Sequence, residues 1–148
     1  MSLEILIGAD VVPTESNMAA FQTSALKLLY GGLEEIWLAA DARIINLETP
    51  LSDQDAAAQK CGPAFGVPSA CANGIAALQP TGVCLCNNHS MDQGAEGLFS
   101  TRAALKARHI ASFGAGEDLD EADQPFFFVK HGIRVGVYAV CEHEFSFA

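Results

Sequence analysis

Apolar runs alternate with polar and turn residues along this chain, which predicts short strands and helices in alternation. Residues 3–7 read as a short buried strand, broken by Gly8-Ala9-Asp10. Pro13 marks residues 11–16 as loop. Asn17 stands where it can cap a helix, and Met18, Phe21, Ala25, Leu28 and Leu29 form that helix's apolar face at i, i+3, i+7 spacing. Gly31-Gly32 ends it. Leu33, Ile36, Trp37 and Ala40 make a second amphipathic helix, with Trp37 in the core. Arg43-Ile44-Ile45-Asn46-Leu47 is a second strand, stopped at Glu48-Thr49-Pro50 because proline cannot continue it. Residues 52–67 are polar, then rich in glycine and proline, and predict a long surface loop. A short helix over 69–78 leads to a third strand, Val83-Cys84-Leu85-Cys86. A helix over 95–108 carries Leu98, Thr101 and Leu105 on one face, and 109–113 is a fourth strand. Residues 125–130 and 133–140 are two strands joined at His131-Gly132, a hairpin. The order β-αα-β-α-β-α-β-ββ predicts an α/β fold of mostly parallel strands with a C-terminal hairpin, one domain over residues 1–148.

Half of the residues are hydrophobic, enough for a core, but 18 acidic against 8 basic residues leave a net charge of −10. That excludes a phosphate-backbone binder, which needs a basic footprint. An anionic ligand held through metal ions remains compatible with it. The five cysteines are Cys61, Cys71, Cys84, Cys86 and Cys141. Their odd number, with three in apolar strand-like runs, points to reduced thiols rather than a disulfide framework. Cys84 and Cys86 share a face at strand period and read as small buried apolar residues. Neither a signal peptide nor an apolar window of ~18 residues is visible. The expected location is therefore cytoplasmic. The expected partner is a small-molecule or polymer substrate, with no nucleic acid and no membrane insertion.

Candidate chemistry concentrates between Leu85 and Gly97. An apolar run stops at Asn87, and two amides, an imidazole and a carboxylate follow by Asp92. Asn88 can offer a carbonyl oxygen to a metal, and His89 can ligate or move a proton near neutral pH. Asp92 can orient that imidazole or cap the following helix. Asp10 and Glu48 stand where the first and second strands stop. Asp10, Glu48 and Asn88 thus occupy equivalent strand-end positions, which a parallel sheet gathers on the edge where α/β folds bind ligands. Asn87 and Lys60 are candidate substrate contacts; the alternative for Lys60 is an exposed solubilising lysine. Gly114-Ala115-Gly116 is too short for a dinucleotide fingerprint. Glu142 and His143 resemble a metal cluster by composition, although in an extended segment His143 faces away from its two flanking glutamates.

Several of these stretches resemble, in order and spacing, the CapA family of poly-gamma-glutamate capsule biosynthesis proteins, within the calcineurin-like metallophosphoesterase superfamily. They are Gly8-Ala9-Asp10, Asn46-Leu47-Glu48-Thr49-Pro50-Leu51, Asn87-Asn88-His89-Ser90-Met91-Asp92-Gln93-Gly94, Gly114-Ala115-Gly116 and Glu121-Ala122-Asp123-Gln124-Pro125. The resemblance implies a partial metallophosphoesterase-like β-sandwich flanked by helices, with two divalent ions (Mn, Fe or Zn) at the strand ends. By the same resemblance Asp10 is a first metal ligand, Glu48 a bridging carboxylate, Asn88 the metal-binding asparagine and His89 the catalytic histidine, with Asp92 matching the motif beside it. The implied chemistry is metal-assisted hydrolysis of a phosphoester or a related ester or amide bond, His89 protonating the leaving oxygen. The alternative is a non-catalytic accessory domain of capsule biosynthesis on the same fold. Two elements of the superfamily are missing. No histidine stands at Val12, and no Gly-His or Gly-His-x-His element follows Asp92. The chain is therefore expected to be an amino-terminal portion, inactive alone. It is expected to have an uncovered sheet edge open to self-association, and envelope association is expected through the family.

Overall fold

Four parallel strands form the central sheet in the order in which the chain makes them: β1 (Ile5–Val11), β2 (Ala42–Leu47), β3 (Gly82–Cys84) and β4 (Ser112–Phe113). The computed structural model describes residues 2–54, 56–60 and 62–142, so Cys61 and His143 lie outside it. Each crossover steps to the next strand in the same direction. Such crossovers are right-handed, so the intervening helices gather on one face of the sheet. They are α1 (Met18–Gln22), α2 (Leu26–Tyr30), α3 (Glu34–Ala39), α4 (Ala72–Ala77), which extends a 3-10 turn at Ser69–Cys71, and α5 (Gly94–Lys106). Ile45, Leu47, Val83 and Leu85 from the sheet side join Phe21, Tyr30, Ile75, Leu98 and Leu105 in one buried cluster. Tyr30 donates its hydroxyl proton to the Ala77 carbonyl at 3.0 Å, and Trp37 Nε1 donates to the Leu78 carbonyl at 2.7 Å. These two bonds pin α2 and α3 to the end of α4. None of the described helices is long and apolar enough to cross a membrane.

The opposite face is covered at one end only. After a single-turn helix, α6 (Leu119–Ala122), the chain forms an antiparallel hairpin of β5 (Phe126–Lys130) and β6 (Ile133–Val137). His131 and Gly132 both have positive φ, 51° and 76°, the conformation of a two-residue type I′ turn. Phe126 stacks on Phe113 with ring centres 5.2 Å apart. It also lies over Gly82, where a Cβ would come within 2.6 Å of the ring. Gly82 pairs with Ile44, one position from the core-facing Ile45, so the hairpin sits on the face away from the helices. Toward β1 that face is open, and Ile7 is 78% exposed.

The α/β class, the parallel sheet and the terminal hairpin are as the pattern predicts. The differences are local. The single helix expected from Asn17 to Leu29 is two, broken at Ser24, whose φ is 54°. The Thr23 hydroxyl donates back to the Ala19 carbonyl at 2.7 Å, a side-chain bond that competes with the helical ladder. Asn17 does not cap α1; its side chain turns back to accept from the Thr14 N–H at 2.7 Å. The third strand stops at Cys84. The fourth keeps only its last two residues, because His109 takes a left-handed φ of 58° as the chain leaves α5.

Packing of α4 on α1 leaves no room at Gly74, where a Cβ would lie 2.5 Å from the Phe21 Cα and 2.8 Å from its carbonyl oxygen. Backbone atoms cannot yield as a side chain does. Gly74→Ala is expected to cost about 1–3 kcal/mol, the usual range for overpacking. Urea denaturation should show a lower midpoint at unchanged slope; an unchanged midpoint would refute the close approach.

Candidate functional site

A bulge in β1 aims the first carboxylate. Ile7 pairs with Ile44 but Asp10 pairs with Asn46, so three residues of β1 span two of β2. Side chains alternate between faces along a strand, and one extra residue shifts that alternation. Asp10 therefore projects from the same face as Ile7 and Ile44 instead of into the helix-side core. Asn46 Nδ2 donates to Asp10 Oδ1 at 2.9 Å. Asn87 Nδ2, from the turn after β3, donates to Asn46 Oδ1 and to the Leu47 carbonyl, both at 3.0 Å. Two amides thus lace three consecutive strand ends together. Asn87 Oδ1 also accepts from the His89 N–H at 3.0 Å, closing an Asx turn that sets the path into His89.

Glu48 follows β2 and faces Asp10. Its carboxyl pKa is raised above the ordinary value. Burial is the main cause, followed by the negative charge of Asp10, whose carboxylate is also within hydrogen-bonding reach; the nearby His89 pulls the other way. Each carboxylate disfavours ionisation of the other.

Beside this pair, His89 Nδ1 lies 2.7 Å from Asp92 Oδ2. The same oxygen accepts from the Phe65 N–H at 2.6 Å, and Asp92 Oδ1 is ion-paired with Lys60 Nζ. A carboxylate with a cation and an amide proton on it is an acceptor, which assigns the shared proton to Nδ1 and leaves Nε2 open. The Phe65 ring stacks on the imidazole, centroids 4.2 Å apart and planes 27° apart. Side-chain exposure is 1% for Asp92, 14% for His89 and 10% for Lys60.

The long loop predicted over 52–67 does connect β2 to the turn before α4, its described residues forming no helix or strand, but it is tied to the site. Ala58 donates its N–H to the Asp92 carbonyl at 2.8 Å, and Ala56 donates to Gln93 Oε1 at 3.1 Å. Gln93 Nε2 donates to the Phe65 carbonyl at 2.9 Å. This corrects the reading of Lys60 as an exposed lysine. A buried Asp92 demands a counter-charge, and Lys60 supplies it. Asp92 likewise does not cap α5: the N-cap residue is Gln93, without a side-chain cap bond, and both Asp92 oxygens are already engaged.

The predicted residues therefore divide. Asp10, Glu48, Asn87, His89, Asp92 and Lys60 come together at one sheet edge. Asn88 is half-buried, and its backbone carbonyl faces Lys60 Nζ at 3.4 Å. Among the described residues its side chain has no hydrogen-bond partner; Asp10 is bonded by Asn46, and Asn46 in turn by Asn87. Glu142 is exposed and outside this network. Burial raises the Cys84 thiol and pushes Cys86 up to about 11, so both stay protonated at neutral pH and act as small apolar residues. The sequence reading missed Asn46, Phe65 and Gln93. Asn46 had a signal: it interrupts an apolar strand two positions before Glu48, on the same face. Phe65 had none, because its role depends on a contact 24 residues along the chain with His89.

The carboxylates of Asp10 and Glu48 and the neighbouring amides are hard oxygen donors, suited to Mg²⁺, Mn²⁺ or Ca²⁺ more than to a thiolate zinc site. Among the described residues no group of three His, Cys, Asp or Glu side chains converges as a ligand set. These residues fit the two-carboxylate part of a cation site.

Because the folded state holds the Glu48 proton to higher pH than the unfolded chain does, it binds more protons in the window above the ordinary value of 4.5. Stability then falls as pH rises through that window. Glu48→Gln should flatten this decline and lose the stabilisation that Mn²⁺ gives the wild type at neutral pH. Thermal unfolding from pH 4 to 8, with and without Mn²⁺, measures both. Parallel profiles for wild type and variant would show that the carboxylates do not interact.

Residues 5–147 match the family model described as Bacterial capsule synthesis protein PGA_cap. Over 81 residues, 55% of the chain, the sequence is 37% identical to proteins of two Mycobacterium tuberculosis strains, CDC 1551 / Oshkosh and ATCC 25618 / H37Rv, each named "Probable polyglutamine synthesis accessory protein". The chain covers 21% of the length of each of these relatives. With nearly every residue inside the family match, and in agreement with the CapA resemblance, this chain belongs to the bacterial capsule synthesis protein family.

Proposed function

We propose that the chain carries the cation-binding and proton-handling part of a metal-dependent hydrolase site, acting on a phosphoester or a related bond in the synthesis of a capsule or polyglutamate polymer. One observation carries the reading: a carboxylate pair, Asp10 and Glu48, lies beside a His–Asp dyad with an open Nε2, at one edge of a parallel sheet. A divalent cation bound there would neutralise the carboxylates and polarise a bound oxygen. The chain's own residues do the rest. Asp10 and Glu48 hold the cation, with Asn46 keeping Asp10 in place. Asp92 holds the imidazole in the Nδ1–H tautomer. His89 Nε2 then exchanges a proton with the substrate oxygen, and Asn87 fixes the backbone from which His89 projects. With a net charge of −10, the chain repels an anionic polymer unless cations bridge the two. Cation dependence is therefore expected of binding as well as of chemistry.

A second reading is an accessory role in polymer synthesis without catalysis on the same fold. The accessory naming of the Mycobacterium relatives and the two-carboxylate donor set favour it. Hydrolysis of bis(p-nitrophenyl) phosphate in the presence of Mn²⁺ separates the two. On the hydrolase reading His89→Ala lowers the rate roughly 10²- to 10⁴-fold, the usual contribution of a positioned general acid, and leaves Mn²⁺ binding intact. Turnover that survives His89→Ala rejects this role for His89. Saturable Mn²⁺ binding without turnover, in a protein that spans the full length of the relatives, supports the accessory reading.

A further inference from the structure

Lys60, the counter-charge of Asp92, is itself nearly buried. A lysine ammonium is strongly hydrated and is rarely buried without partners. Here the side chain is 10% exposed, in a segment without regular structure. Among the described residues its polar contacts all fall on one turn: Asp92 Oδ1, the Asn88 carbonyl at 3.4 Å and His89 Nδ1 at 3.3 Å. The last is a close approach rather than a bond, because Nδ1 already gives its proton to Asp92. Asp92 has two oxygens with distinct duties. Oδ2 receives the imidazole and the Phe65 N–H, and Oδ1 receives the ammonium. Rotation about the Cβ–Cγ bond would carry Oδ2 out of line with Nδ1–H. An ammonium on Oδ1 adds a second restraint against that rotation, on the other side of the bond.

We infer that Lys60 is a positioning residue for His89: its ammonium locks the Asp92 carboxylate in the plane that receives Nδ1–H, and so keeps His89 in the single tautomer with Nε2 open. This rests on the reading of His89 as the proton-handling group, and it assigns Lys60 a role other than substrate contact. Phe65 completes the arrangement from the same segment, its ring on the imidazole face and its N–H on the shared oxygen. The irregular 52–68 segment therefore sets the geometry of the site instead of only connecting β2 to α4.

The test reads the imidazole directly and needs no substrate, so it stands or fails apart from any hydrolysis assay. Long-range ¹⁵N–¹H spectra of the full chain resolve the ring nitrogens of its 4 histidines, with His89→Gln identifying the signals of that ring. In the wild type His89 should show one tautomer, Nδ1 protonated. Lys60→Met, which keeps the length of the stem and removes the charge, should lose the single-tautomer pattern. Lys60→Arg, a cation with several donors, should restore it. A Lys60→Met spectrum that keeps the Nδ1–H tautomer, even with a lower melting temperature, overturns the proposal and leaves Lys60 a structural counter-ion. A measurement on the wild type guards against a variant that does not fold. The Lys60 ammonium should give a slowly exchanging ¹⁵N–¹H signal with cross-relaxation to the His89 ring and to residues of the 88–92 turn. An ammonium in fast exchange with water, with no such cross-peaks, also overturns it.

Discussion

The buried Asp92 carboxylate is the demand that the rest of the site answers. Taking a carboxylate out of water costs several kcal/mol unless a counter-charge and hydrogen bonds replace the lost hydration. Asp92, with 1% of its side chain exposed, meets that demand with one ammonium, one imidazole N–H and one backbone N–H. Those partners come from residues 60, 89 and 65, so satisfying one charge ties an irregular segment to a tight turn. The segment's base is closed separately. Leu51 bridges to Val67, and the Asp53 carboxylate accepts from the backbone and hydroxyl of Ser69. Between these ends the described residues form no ladder of their own, and they are held over His89 by the charge beneath them together with the bonds of Ala56, Ala58 and Phe65 to Asp92 and Gln93.

A second constraint works through the sheet. In a parallel sheet the carboxyl ends of successive strands fall side by side, so polar residues that end each strand become neighbours in space. Neighbourhood alone does not aim them. The bulge between Ile7 and Asp10 moves Asp10 to the face away from the helices, and the Asn46 and Asn87 amides hold it against β2 and the turn after β3. Glu48 arrives on the same side with its pKa raised by burial and by Asp10. Negative charge is thus concentrated at the strand ends, near the His89 imidazole.

The two faces of the sheet serve different ends. One is sealed by helices and supplies the stability that holds strand ends in register. The other carries the site residues at its carboxyl edge and is covered by the hairpin only near β3 and β4, where Phe126 replaces the side chain that Gly82 lacks. Ile7, Phe127 and Val129 remain exposed, at 78%, 50% and 66%.

Alternation and punctuation alone determined that this protein is α/β, that its first strands are parallel, and that Glu48 and the Asn87–Asp92 stretch follow successive strands. These are local properties, because the period of apolar residues and a proline after Glu48 act within a few residues. Gly8-Ala9-Asp10, expected to break the first strand, instead lies inside β1, which continues to Val11 because pairing with β2 carries it through the bulge. Strand and helix limits were less legible where a neighbour decides them, as at Ser24 and His109. What only the tertiary structure decided is which of these groups meet. The face on which Asp10 projects depends on one extra residue in its pairing with β2. Asn87, rather than Asn88, bonds to Asn46, which lies across the sheet between it and Asp10. Lys60 and Phe65 reach His89 from residues far back in the chain, drawn by a carboxylate whose burial no local pattern records. Periodicity reports which side of an element is apolar, whereas the pairing of buried charges is a property of the assembled fold.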